Sequence, residues 1–410
     1  EIANRWYDWP SHSVDVVGVT GTNGKTTVAY LVAQSLQLLR QSAGYVGTLG
    51  FGLDELDVDL GMTTPPCLDL HAKLAAFRDA GATAAAIEVS SHALAQSRVS
   101  GVRFDSVVFT NLSRDHVDYH GNMRNYAESK ARLFTGCESR HRIVAVDTDF
   151  GAELAKRLDY SATVTSTRAD RDLSDHDSYI VVRSSKATEL GSELEIESSW
   201  GGGRVHLSLP GNFNVNNAIQ VLAVLLGRGI DFNQAARTIA GLSAPPGRLQ
   251  RVGTATQGSP DVYVDYAHTP DALDAVLNAL RAHSRGRLFC VFGCGGDRDA
   301  GKRPQMGAVL SRLADTAGIR ESADIIESEG VKRTKELLNV CDVIIYLVDG
   351  VDEDTIIDRS IVDNPKTILA YTKRDIKHRK EAIESLEAMY ESVMIKVAKV
   401  LLVDIIAGDT

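Results

Sequence analysis

Strand-like and helix-like patterns of apolar residues alternate along the chain up to about residue 158. The run 14–19 is rich in valine, and the segment after it repeats apolar residues every three or four positions, as one face of an α-helix does. The apolar positions of that helical segment are Val28, Leu31, Val32, Leu36 and Leu39. Such alternation predicts a mostly parallel sheet with helices between its strands.

The same pattern predicts further elements on both sides of a hinge. Strands are predicted over 84–89, 106–109 and 143–146, and helices over 68–80, 126–134 and around 219–226. Residues 160–207 are richer in serine, threonine and charge, and their short alternating runs predict a small antiparallel insert. After the hinge signal Pro245-Pro246-Gly247, strands and helices alternate again, at 262–264, 273–282, 288–292 and 302–314.

These elements predict an α/β fold with two domains. A central P-loop-type domain, with a mostly parallel sheet and the small antiparallel insert, would occupy 14–245, preceded by a short leader over 1–13. A second, Rossmann-like α/β domain would occupy 247–410, with helices over 327–340 and 376–392 covering its sheet.

Composition narrows the class of protein. The 410 residues are 44% hydrophobic and 24% charged, which is typical of a globular protein. A net charge of −10 argues against a broad nucleic-acid surface, and no apolar run reaches the ~18 residues of a membrane span. The five cysteines form no CxxC pair, which favours reduced thiols and a cytoplasmic location. The chain opens with Glu1 and without a secretory signal pattern, so an N-terminal piece could have been removed.

The stretch from Gly21 to Thr27 lies between the first strand and the first long helix, where a phosphate-binding loop belongs. Backbone N–H groups and the helix dipole favour an anion there, Lys25 would place a positive charge on the terminal phosphates, and Thr26 would offer a hydroxyl to Mg²⁺. Valine occupies position 19, where the full Walker A pattern has its first glycine. A tight turn that happens to contain glycine and lysine is the alternative.

Two further segments carry candidate site chemistry. Glu88 ends a buried-looking strand and is well placed to hold Mg²⁺, although a plain loop acid is the alternative. The segment 110–120 contains two aspartates and two histidines that could line a polar site or form a solvated loop. Lys130, on a predicted helix, would by itself be read as a surface lysine.

Together these residues resemble the Mur ligase family, and within it the ligases that add the third residue of the peptidoglycan stem peptide. The resemblance runs from about residue 4 to residue 314. It rests on the motifs GVTGTNGKTT, EVSSHAL, NLSRDHVDYHG, LPGNFNVNNA, PPGRLQRV, VDYAHTPDAL and FGCGGDRDAGKRP.

The resemblance implies an ATP-dependent, Mg²⁺-requiring amide ligase of the cytoplasm. ATP would phosphorylate a carboxylate of UDP-MurNAc-L-Ala-D-Glu, and the amine of a diamino acid, meso-diaminopimelate or L-lysine, would attack the acyl phosphate. The chemistry then consists of neutralising charge on the transferred phosphoryl group and positioning three reactants. Small molecules are the implied partners, without nucleic acid or membrane.

The resemblance also implies roles for individual residues. The catalytic residues would be Lys25, Glu88, His116 and Lys130. One Mg²⁺ would be held by Thr26 and Glu88, and a second by His116 and a carbamylated Lys130. The nucleotide would be bound by Gly21, Thr22, Asn23, Gly24, Lys25, Thr26, Thr27, Asn111, Asn214, Asn217, Arg248, Asp265 and His268. The nucleotide-sugar peptide would be bound by Thr63, Thr64, Ser90, Gln96 and Arg98. Helix capping is the alternative role of Asn214 and Asn217.

The chain departs from the family pattern at both ends. The family has an N-terminal domain for the uridine, whereas about thirteen residues precede the first strand here, so we expect that domain to be absent. After residue 314 the resemblance stops, and DTAG at 315–318, DVIIYLVD at 342–349 and TKRD at 372–375 resemble the distal half of a tRNA-modification GTPase domain. The sequence therefore predicts a fusion with its seam near residues 313–318.

The family's acceptor-binding motif, DNPR, resembles Asp363-Asn364-Pro365-Lys366, and we interpret this likeness as a coincidence, because the flanking residues match a GTPase loop and Asx-Pro is a common turn signal. Three functions follow. The first is the ATP-dependent ligase, with ligation impaired because the acceptor motif is not recognisable. The second is an ATP-binding chimera without catalysis, and the third is a GTPase fragment. The sequence contains every ligase motif on the ATP side but only the distal motifs of the GTPase domain. This difference favours the first function.

Overall fold

The computed structural model describes two compact units, over residues 1–250 and 251–410. The described residues are 2–57, 62–159, 161–188, 191–252, 261–267, 270–284, 288–291, 302–313, 315–317, 344–349 and 367–372. The first unit contains one large sheet with helices on both of its faces.

The helices of the first unit are α1 (Ile2–Trp6), α2 (Lys25–Leu38), α3 (Cys67–Asp79), α4 (Ser91–Ala95), α5 (Val117–His120), α6 (Met123–Thr135), α7 (Asp149–Arg157), α8 (Asn212–Gly227) and α9 (Phe232–Ala240), with a 3₁₀ turn at Pro10–His12. Its strands are β1 (Asp15–Thr20), β2 (Ala43–Gly47), β3 (Gly50–Gly52), β4 (Ala84–Glu88), β5 (Phe104–Phe109), β6 (Ser139–Ala145), β7 (Thr163–Ser166), β8 (Tyr179–Thr188), β9 (Gly191–Ser198) and β10 (Gly201–Leu207).

The ten strands form one sheet in the order β10-β9-β8-β7-β6-β5-β1-β4-β2-β3. The seven strands from β8 to β2 in this order run parallel, and β3, β9 and β10 pair antiparallel at the two edges. β1 lies between β5 and β4, so the chain reverses its direction of winding there. In such sheets ligands bind outside the carboxyl ends of the strands at this switch point.

Neighbouring residues of each central strand enter two different cores. In β1, Val17 and Val19 pack with α2, α8 and α9, whereas Val16 packs on the other face with α3, α6 and α7. The same alternation places Ala86 on the first face and Ile87 on the second. Because successive side chains of a strand point to opposite faces, a strand buried on both sides reads as a nearly continuous apolar run. The expected mostly parallel α/β sheet is confirmed.

The antiparallel part is an extension of the large sheet. Residues 163–166 form β7 parallel to β6, β8 follows in parallel, and β9 and β10 turn back as a meander at the edge. Helix α9 packs against β10, with Phe232 next to the exposed glycines of that strand. The predicted small antiparallel insert is therefore joined to the central sheet, and its first two strands, β7 and β8, belong to the parallel series.

Residues 2–12, expected to be a short leader, pack against the first unit. The Asn4 side chain donates a hydrogen bond to the Gly101 carbonyl at 2.8 Å, and Arg78 donates to the Tyr7 carbonyl at 2.9 Å. The apolar side chains of Ile2 and Trp6 remain exposed, at 81% and 78%.

The second unit alternates short strands and helices. Its elements are β11 (Gln250–Val252), β12 (Val262–Val264), α10 (Pro270–His283), β13 (Phe289–Val291), α11 (Lys302–Leu313), β14 (Asp315–Ala317), β15 (Ile344–Asp349) and β16 (Thr367–Thr372). The pairs β13–β14 and β15–β16 are parallel, and the helices share a core of Leu273, Leu277, Met306 and Leu310.

Several predicted features of this half lie outside the described residues. They are the helices over 327–340 and 376–392, the DNPK segment at 363–366, residues 373–375 of the TKRD motif, and His268. None of the helices that the structure describes has the length and apolar character needed to cross a lipid bilayer.

Candidate functional site

A glycine-rich loop connects β1 to α2 at the carboxyl end of the sheet. Gly24 precedes α2 with φ +86°, in the left-handed region that favours glycine, and α2 begins at Lys25. A side chain on Gly21 would collide with the Thr110 hydroxyl at the end of β5. Thr27, in the first turn of α2, is buried. The loop therefore takes a conformation that only these glycines permit, with the N–H groups at the start of α2 available to an anion.

The end of β5 fixes the loop through side chains. Asn111 accepts a hydrogen bond from the Asn23 N–H and donates to the Asn23 carbonyl, both at 3.0 Å. The Thr110 hydroxyl donates to the same carbonyl at 2.6 Å, and the Thr22 hydroxyl contacts the Tyr126 hydroxyl at 3.1 Å. Asn111 thus fixes the backbone of the loop by two hydrogen bonds to Asn23.

The Lys25 side chain lies along its own loop. Its Nζ donates to the carbonyls of Gly21 and Thr22 at 3.1 and 2.9 Å. Burial lowers the pKa of Lys25, and the nearby Glu88 carboxylate opposes that shift. Backbone carbonyls are the partners of this ammonium group, so a bound phosphate would provide the full negative charge that they lack.

Glu88 ends β4 beside the loop and is almost fully buried, with 1% of its surface exposed. One oxygen, Oε1, accepts from the Tyr45 hydroxyl at 2.5 Å and the Thr48 N–H at 2.8 Å. The other, Oε2, accepts from the Thr26 hydroxyl at 2.9 Å and the Thr48 hydroxyl at 3.3 Å. Four donors therefore hold this carboxylate next to the Thr26 hydroxyl.

This donor set fits Mg²⁺, a hard cation that binds through one or two carboxylates together with phosphate and water oxygens. Among the described residues, no group of three or more His, Cys, Asp and Glu side chains surrounds one point. The pair Thr26 and Glu88 would thus hold a metal only together with nucleotide phosphates.

Lys130 projects from α6 to the first residue of the loop, Gly21, and is buried, with 1% of its surface exposed. Its Nζ donates to the Gly21 carbonyl at 2.6 Å and lies 4.4 Å from the centre of the Tyr126 ring. Burial, and next the charge of Lys25, lower the pKa of Lys130 well below its usual value, while Asp115 opposes the shift. The surface-lysine interpretation is therefore wrong, and the amine lies beside the phosphate loop.

His116 belongs to a cluster of aromatic rings that could not be predicted from the sequence. Its backbone has φ +48°, and its Nε2 lies 3.4 Å from Asp115. Its ring centre lies 4.9 Å from that of His92, and the rings of Tyr119 and His120 lie 4.1 and 5.5 Å from that of His92. Burial lowers the pKa values of all three histidines, which favours neutral imidazoles.

His120 connects two helices through both of its ring nitrogens. Its Nε2 lies 3.0 Å from the Ser91 hydroxyl of α4, and its Nδ1 lies 3.3 Å from the Ser129 hydroxyl of α6. This bridge fixes α6 and therefore the position of Lys130. The sequence shows the residue type at each position but not the contact, which depends on α4 and α6 packing together.

Four of the five residues that the resemblance assigns to the nucleotide-sugar peptide form one hydrogen-bonded group, and the fifth, Thr63, is connected to it through Thr48 and Glu88. The Thr64 hydroxyl donates to the Glu88 carbonyl at 2.7 Å and accepts from the Ser90 N–H at 3.0 Å. Arg98 donates to the Thr64 carbonyl at 2.8 Å and to the Gln96 amide oxygen at 2.9 Å. The Thr63 hydroxyl lies 3.3 Å from that of Thr48 and so joins the group to Glu88.

Asn214 and Asn217 lie on α8, buried close to the loop. Gly211 precedes α8 without a side-chain cap, and Asn214 donates to the Pro210 carbonyl at 2.8 Å, so neither asparagine is the residue that caps this helix. The Asn217 amide oxygen occupies the space where Gly24 would carry a side chain. The helix-capping alternative is therefore wrong. Arg248 lies near enough for its charge to lower the pKa of Lys25.

Asp265, in the second unit, follows β12 directly. Its carboxylate accepts a hydrogen bond from the Ala267 N–H at 2.8 Å, which closes a short turn at the end of that strand. In the first unit the structure brings together the glycine-rich loop, Glu88, Asn111, His116, Lys130 and Asn217, as the motifs imply.

Two family models match the chain. The model of the Mur ligase middle domain matches residues 19–225, and that of the Mur ligase glutamate ligase domain matches residues 247–329. The second match continues past the seam expected near residues 313–318.

Curated relatives from two organisms carry the same name. A UDP-N-acetylmuramoyl-L-alanyl-D-glutamate--2,6-diaminopimelate ligase of Pseudomonas aeruginosa is 47% identical over 314 residues, which are 77% of this chain and 63% of that protein. The ligase of the same name from Coxiella burnetii is 44% identical over 315 residues, 77% of this chain and 64% of that protein. The chain thus spans less than two thirds of the length of these curated relatives.

Solved structures show the same architecture. A UDP-N-acetylmuramoyl-L-alanyl-D-glutamate--2,6-diaminopimelate ligase superposes with a TM-score of 0.65 at 28% identity, over 98% of this chain and 76% of that one. A folylpolyglutamate synthase of Mycobacterium tuberculosis, with ADP and AMPPCP, reaches a TM-score of 0.61 at 19% identity, over 98% of this chain and 91% of that one. The second likeness concerns the fold alone.

Proposed function

The chain belongs to the Mur ligase family, and on that basis we propose that it is an ATP-dependent ligase of peptidoglycan precursor synthesis. It would join a diamino acid to UDP-MurNAc-L-Ala-D-Glu, in the cytoplasm where such nucleotide precursors are made. The names of the relatives favour 2,6-diaminopimelate as the diamino acid, with L-lysine as the alternative.

The buried pair of Glu88 and Thr26 is the observation that carries this proposal. A carboxylate held by four donors beside a glycine-rich loop suits a cation that accompanies ATP phosphates. When bound, Mg²⁺ would neutralise charge on the transferred phosphoryl group. Lys25, released from the carbonyls of Gly21 and Thr22, would pair with the terminal phosphates.

Lys130 supports a second cation site together with His116. Burial lowers the pKa of this amine and so raises its neutral fraction, and it is the neutral form of an amine that reacts with carbon dioxide. In that step the amine nitrogen forms a bond to the carbon of CO₂ and loses a proton, which leaves a carbamate. The product offers oxygen atoms where the unmodified lysine offers only a donor, and oxygen suits a hard cation.

The reaction itself needs positioning more than acid–base chemistry. The group of Thr63, Thr64, Ser90, Gln96 and Arg98 adjoins Glu88, so a carboxylate of the peptide bound there would face the γ-phosphate. Phosphoryl transfer to that carboxylate gives an acyl phosphate and ADP. Attack by the amine then forms the amide bond and releases phosphate.

Residues 315–410 decide how well the amine is held. Our proposal retains the sequence prediction that this segment resembles a GTPase domain, in which the likeness of residues 363–366 to the ligase motif is a coincidence. The match of the ligase model up to residue 329 favours a ligase origin for the first part of the segment. A poorly held amine would reduce turnover without affecting ATP binding.

ADP release tests the proposed function directly. The chain is mixed with Mg·ATP and UDP-MurNAc-L-Ala-D-Glu, with or without meso-diaminopimelate or L-lysine, and the same reactions are run with GTP. We expect ADP release that requires the nucleotide-sugar peptide and a clear preference for ATP. Release that ignores the nucleotide-sugar peptide, or that prefers GTP, would contradict the ligase proposal.

A second chain, in which the complete C-terminal glutamate ligase domain of a relative replaces that of this chain, provides the matched comparison. If residues 315–410 hold the amine poorly, the second chain should form product several orders of magnitude faster, since each tenfold corresponds to ~1.4 kcal/mol. Equal turnover would instead show that residues 315–410 bind the diamino acid, and Lys366→Ala would then be the next variant to assay.

A further inference from the structure

Tyr45 makes the shortest contact of the Glu88 carboxylate, and neither a sequence motif nor the proposed reaction gives it a role. It lies in β2 with 2% of its surface exposed, and its hydroxyl donates to Glu88 Oε1 at 2.5 Å. Its ring packs edge-on against Tyr30 of α2, with 5.8 Å between the ring centres and an angle of 72°. The phenol is thus fixed on one side by a ring and on the other by a carboxylate.

The parallel pairing of β2 and β4 explains why the two residues meet. Tyr45 lies opposite Ala86, and Glu88 is the next residue of β4 on the same face. Gly47, at the end of β2, leaves room for the contact, since a side chain there would collide with both the Glu88 carboxylate and the Tyr45 hydroxyl. Three positions on two strands therefore create one pocket for the carboxylate.

We propose that Tyr45 is a positioning residue for the cation of the proposed reaction. By holding Oε1, it orients Glu88 so that Oε2 lies beside the Thr26 hydroxyl and can serve as a metal ligand. The inference rests on the proposed function and adds a residue to it. Partners of this kind, which contact a ligand rather than the metal, fix the ligand's geometry.

The chemistry of the phenol suits this role. A phenol carries a proton at neutral pH, and the Tyr45 hydroxyl lies 2.5 Å from Glu88 Oε1, so the hydroxyl acts as a donor to the carboxylate. A neutral donor orients the carboxylate and leaves its negative charge for the cation, whereas a lysine or arginine at this position would neutralise it. The Thr48 N–H, also on Oε1, completes the fixation.

Metal binding tests the inference without any turnover. Mn²⁺ is titrated into the chain with AMP-PNP present, and free Mn²⁺ is followed by electron paramagnetic resonance. Tyr45→Phe keeps the ring and removes only the hydroxyl, and we expect Mn²⁺ affinity to fall by about 10- to 100-fold, the usual effect of losing such a partner. The matched control, Tyr30→Phe, removes the same group from the neighbouring ring and should bind Mn²⁺ as the unaltered chain does.

Two further measurements separate the possible outcomes. AMP-PNP affinity without metal and the circular dichroism spectrum should be the same in all three chains, so that a loss of Mn²⁺ cannot come from unfolding. Unchanged or tighter Mn²⁺ binding by Tyr45→Phe, or an equal loss in Tyr30→Phe, overturns the positioning role. Failure of the unaltered chain to bind Mn²⁺ with AMP-PNP contradicts the proposed function itself, and this inference with it.

Discussion

Glu88 and Lys130 contact the two ends of the same loop, at Thr26 and at Gly21, and are equally buried, but the protein surrounds them in opposite ways. The Glu88 carboxylate accepts hydrogen bonds from Thr26, Tyr45 and Thr48. The Lys130 amine donates a hydrogen bond to the Gly21 carbonyl and lies over the Tyr126 ring, and its pKa is lowered.

A buried charge is stable only when its partners replace the water that it has lost. The Glu88 side is therefore organised before any ligand arrives, whereas in our proposal the Lys130 side is completed only when the lysine is carbamylated. The variants below test that difference, in order of decreasing expected effect.

Removing the amine should have the largest effect. Lys130→Ala should reduce phosphoryl transfer by at least about 10²- to 10³-fold, the usual effect of losing one electrostatic group of an active site. Formate or acetate should restore part of the rate, because a small carboxylate could replace the carbamate oxygens. Lys186→Ala, on an exposed part of β8, is the control and should keep full activity. A lack of rescue over a wide range of carboxylate concentrations would argue against carbamylation.

Lys25 lies between the two sides, and its removal should weaken ATP binding. The loss of a charged partner of phosphate predicts an affinity about 10- to 100-fold lower for Lys25→Ala, measured by calorimetry. The fold should survive, because Lys25 contacts only its own loop. Unchanged ATP affinity with an unchanged circular dichroism spectrum would rule out the loop as the phosphate site.

A side chain introduced next to Glu88 should disturb the hydrogen bonds that hold its carboxylate and should destabilise the protein. Gly47→Ala places a methyl group against the Glu88 carboxylate and the Tyr45 hydroxyl, and such overpacking costs about 1–3 kcal/mol. Gly227→Ala, at the end of α8, meets His141 only at ordinary contact distance and is the matched control. Urea unfolding of both variants provides the comparison, and equal stabilities would show that the carboxylate can move freely.

The effect of pH on stability should reveal the buried amine of Lys130. In the unfolded chain its pKa returns to about 10.5, so the unfolded state binds more protons than the native state between the lowered pKa and 10.5. The free energy of unfolding therefore rises with pH in that window, by up to about 1.4 kcal/mol per pH unit from this group.

Lys130→Met removes the titrating group and keeps most of the side-chain volume. In CO₂-free buffer the variant should be more stable than the unaltered chain near neutral pH, and the difference should shrink as the pH rises towards 10.5. Thermal unfolding across this pH range measures it. A difference that stays constant would mean that Lys130 is charged in the folded protein.

Local patterns were enough to predict the loop and the strands around it. The strand predicted over 84–89 is observed as Ala84–Glu88, and the helix predicted over 126–134 is observed as Met123–Thr135. The positions of the polar side chains at the ends of the strands follow from this prediction, because parallel strands bring their carboxyl ends to one edge of the sheet. Glu88, Asn111 and the loop could therefore be placed near one another without a structure.

Contacts between distant parts of the chain could not be predicted in this way. The partnership of Tyr45 and Glu88 requires β4 to lie beside β2, and the bridge through His120 requires α4 to pack on α6. Lys130 looks like a surface residue because charge alone does not reveal which face of α6 is buried. The edge strands β9 and β10 alternate as an independent hairpin would, so the sequence did not show that they extend the central sheet.

The two edge strands of the ten-stranded sheet affect whether a second molecule could pair with the sheet. β3, at one border, has three residues, Gly50–Gly52, too few to offer another molecule a long row of free N–H and carbonyl groups. β10, at the other border, begins with exposed glycines, and its Arg204 and His206 pair with Glu195 and Glu193 of β9. Charge and weak strand-forming residues discourage the addition of a neighbour's strand. Both borders of this sheet are therefore poor places for a neighbouring molecule to add a strand.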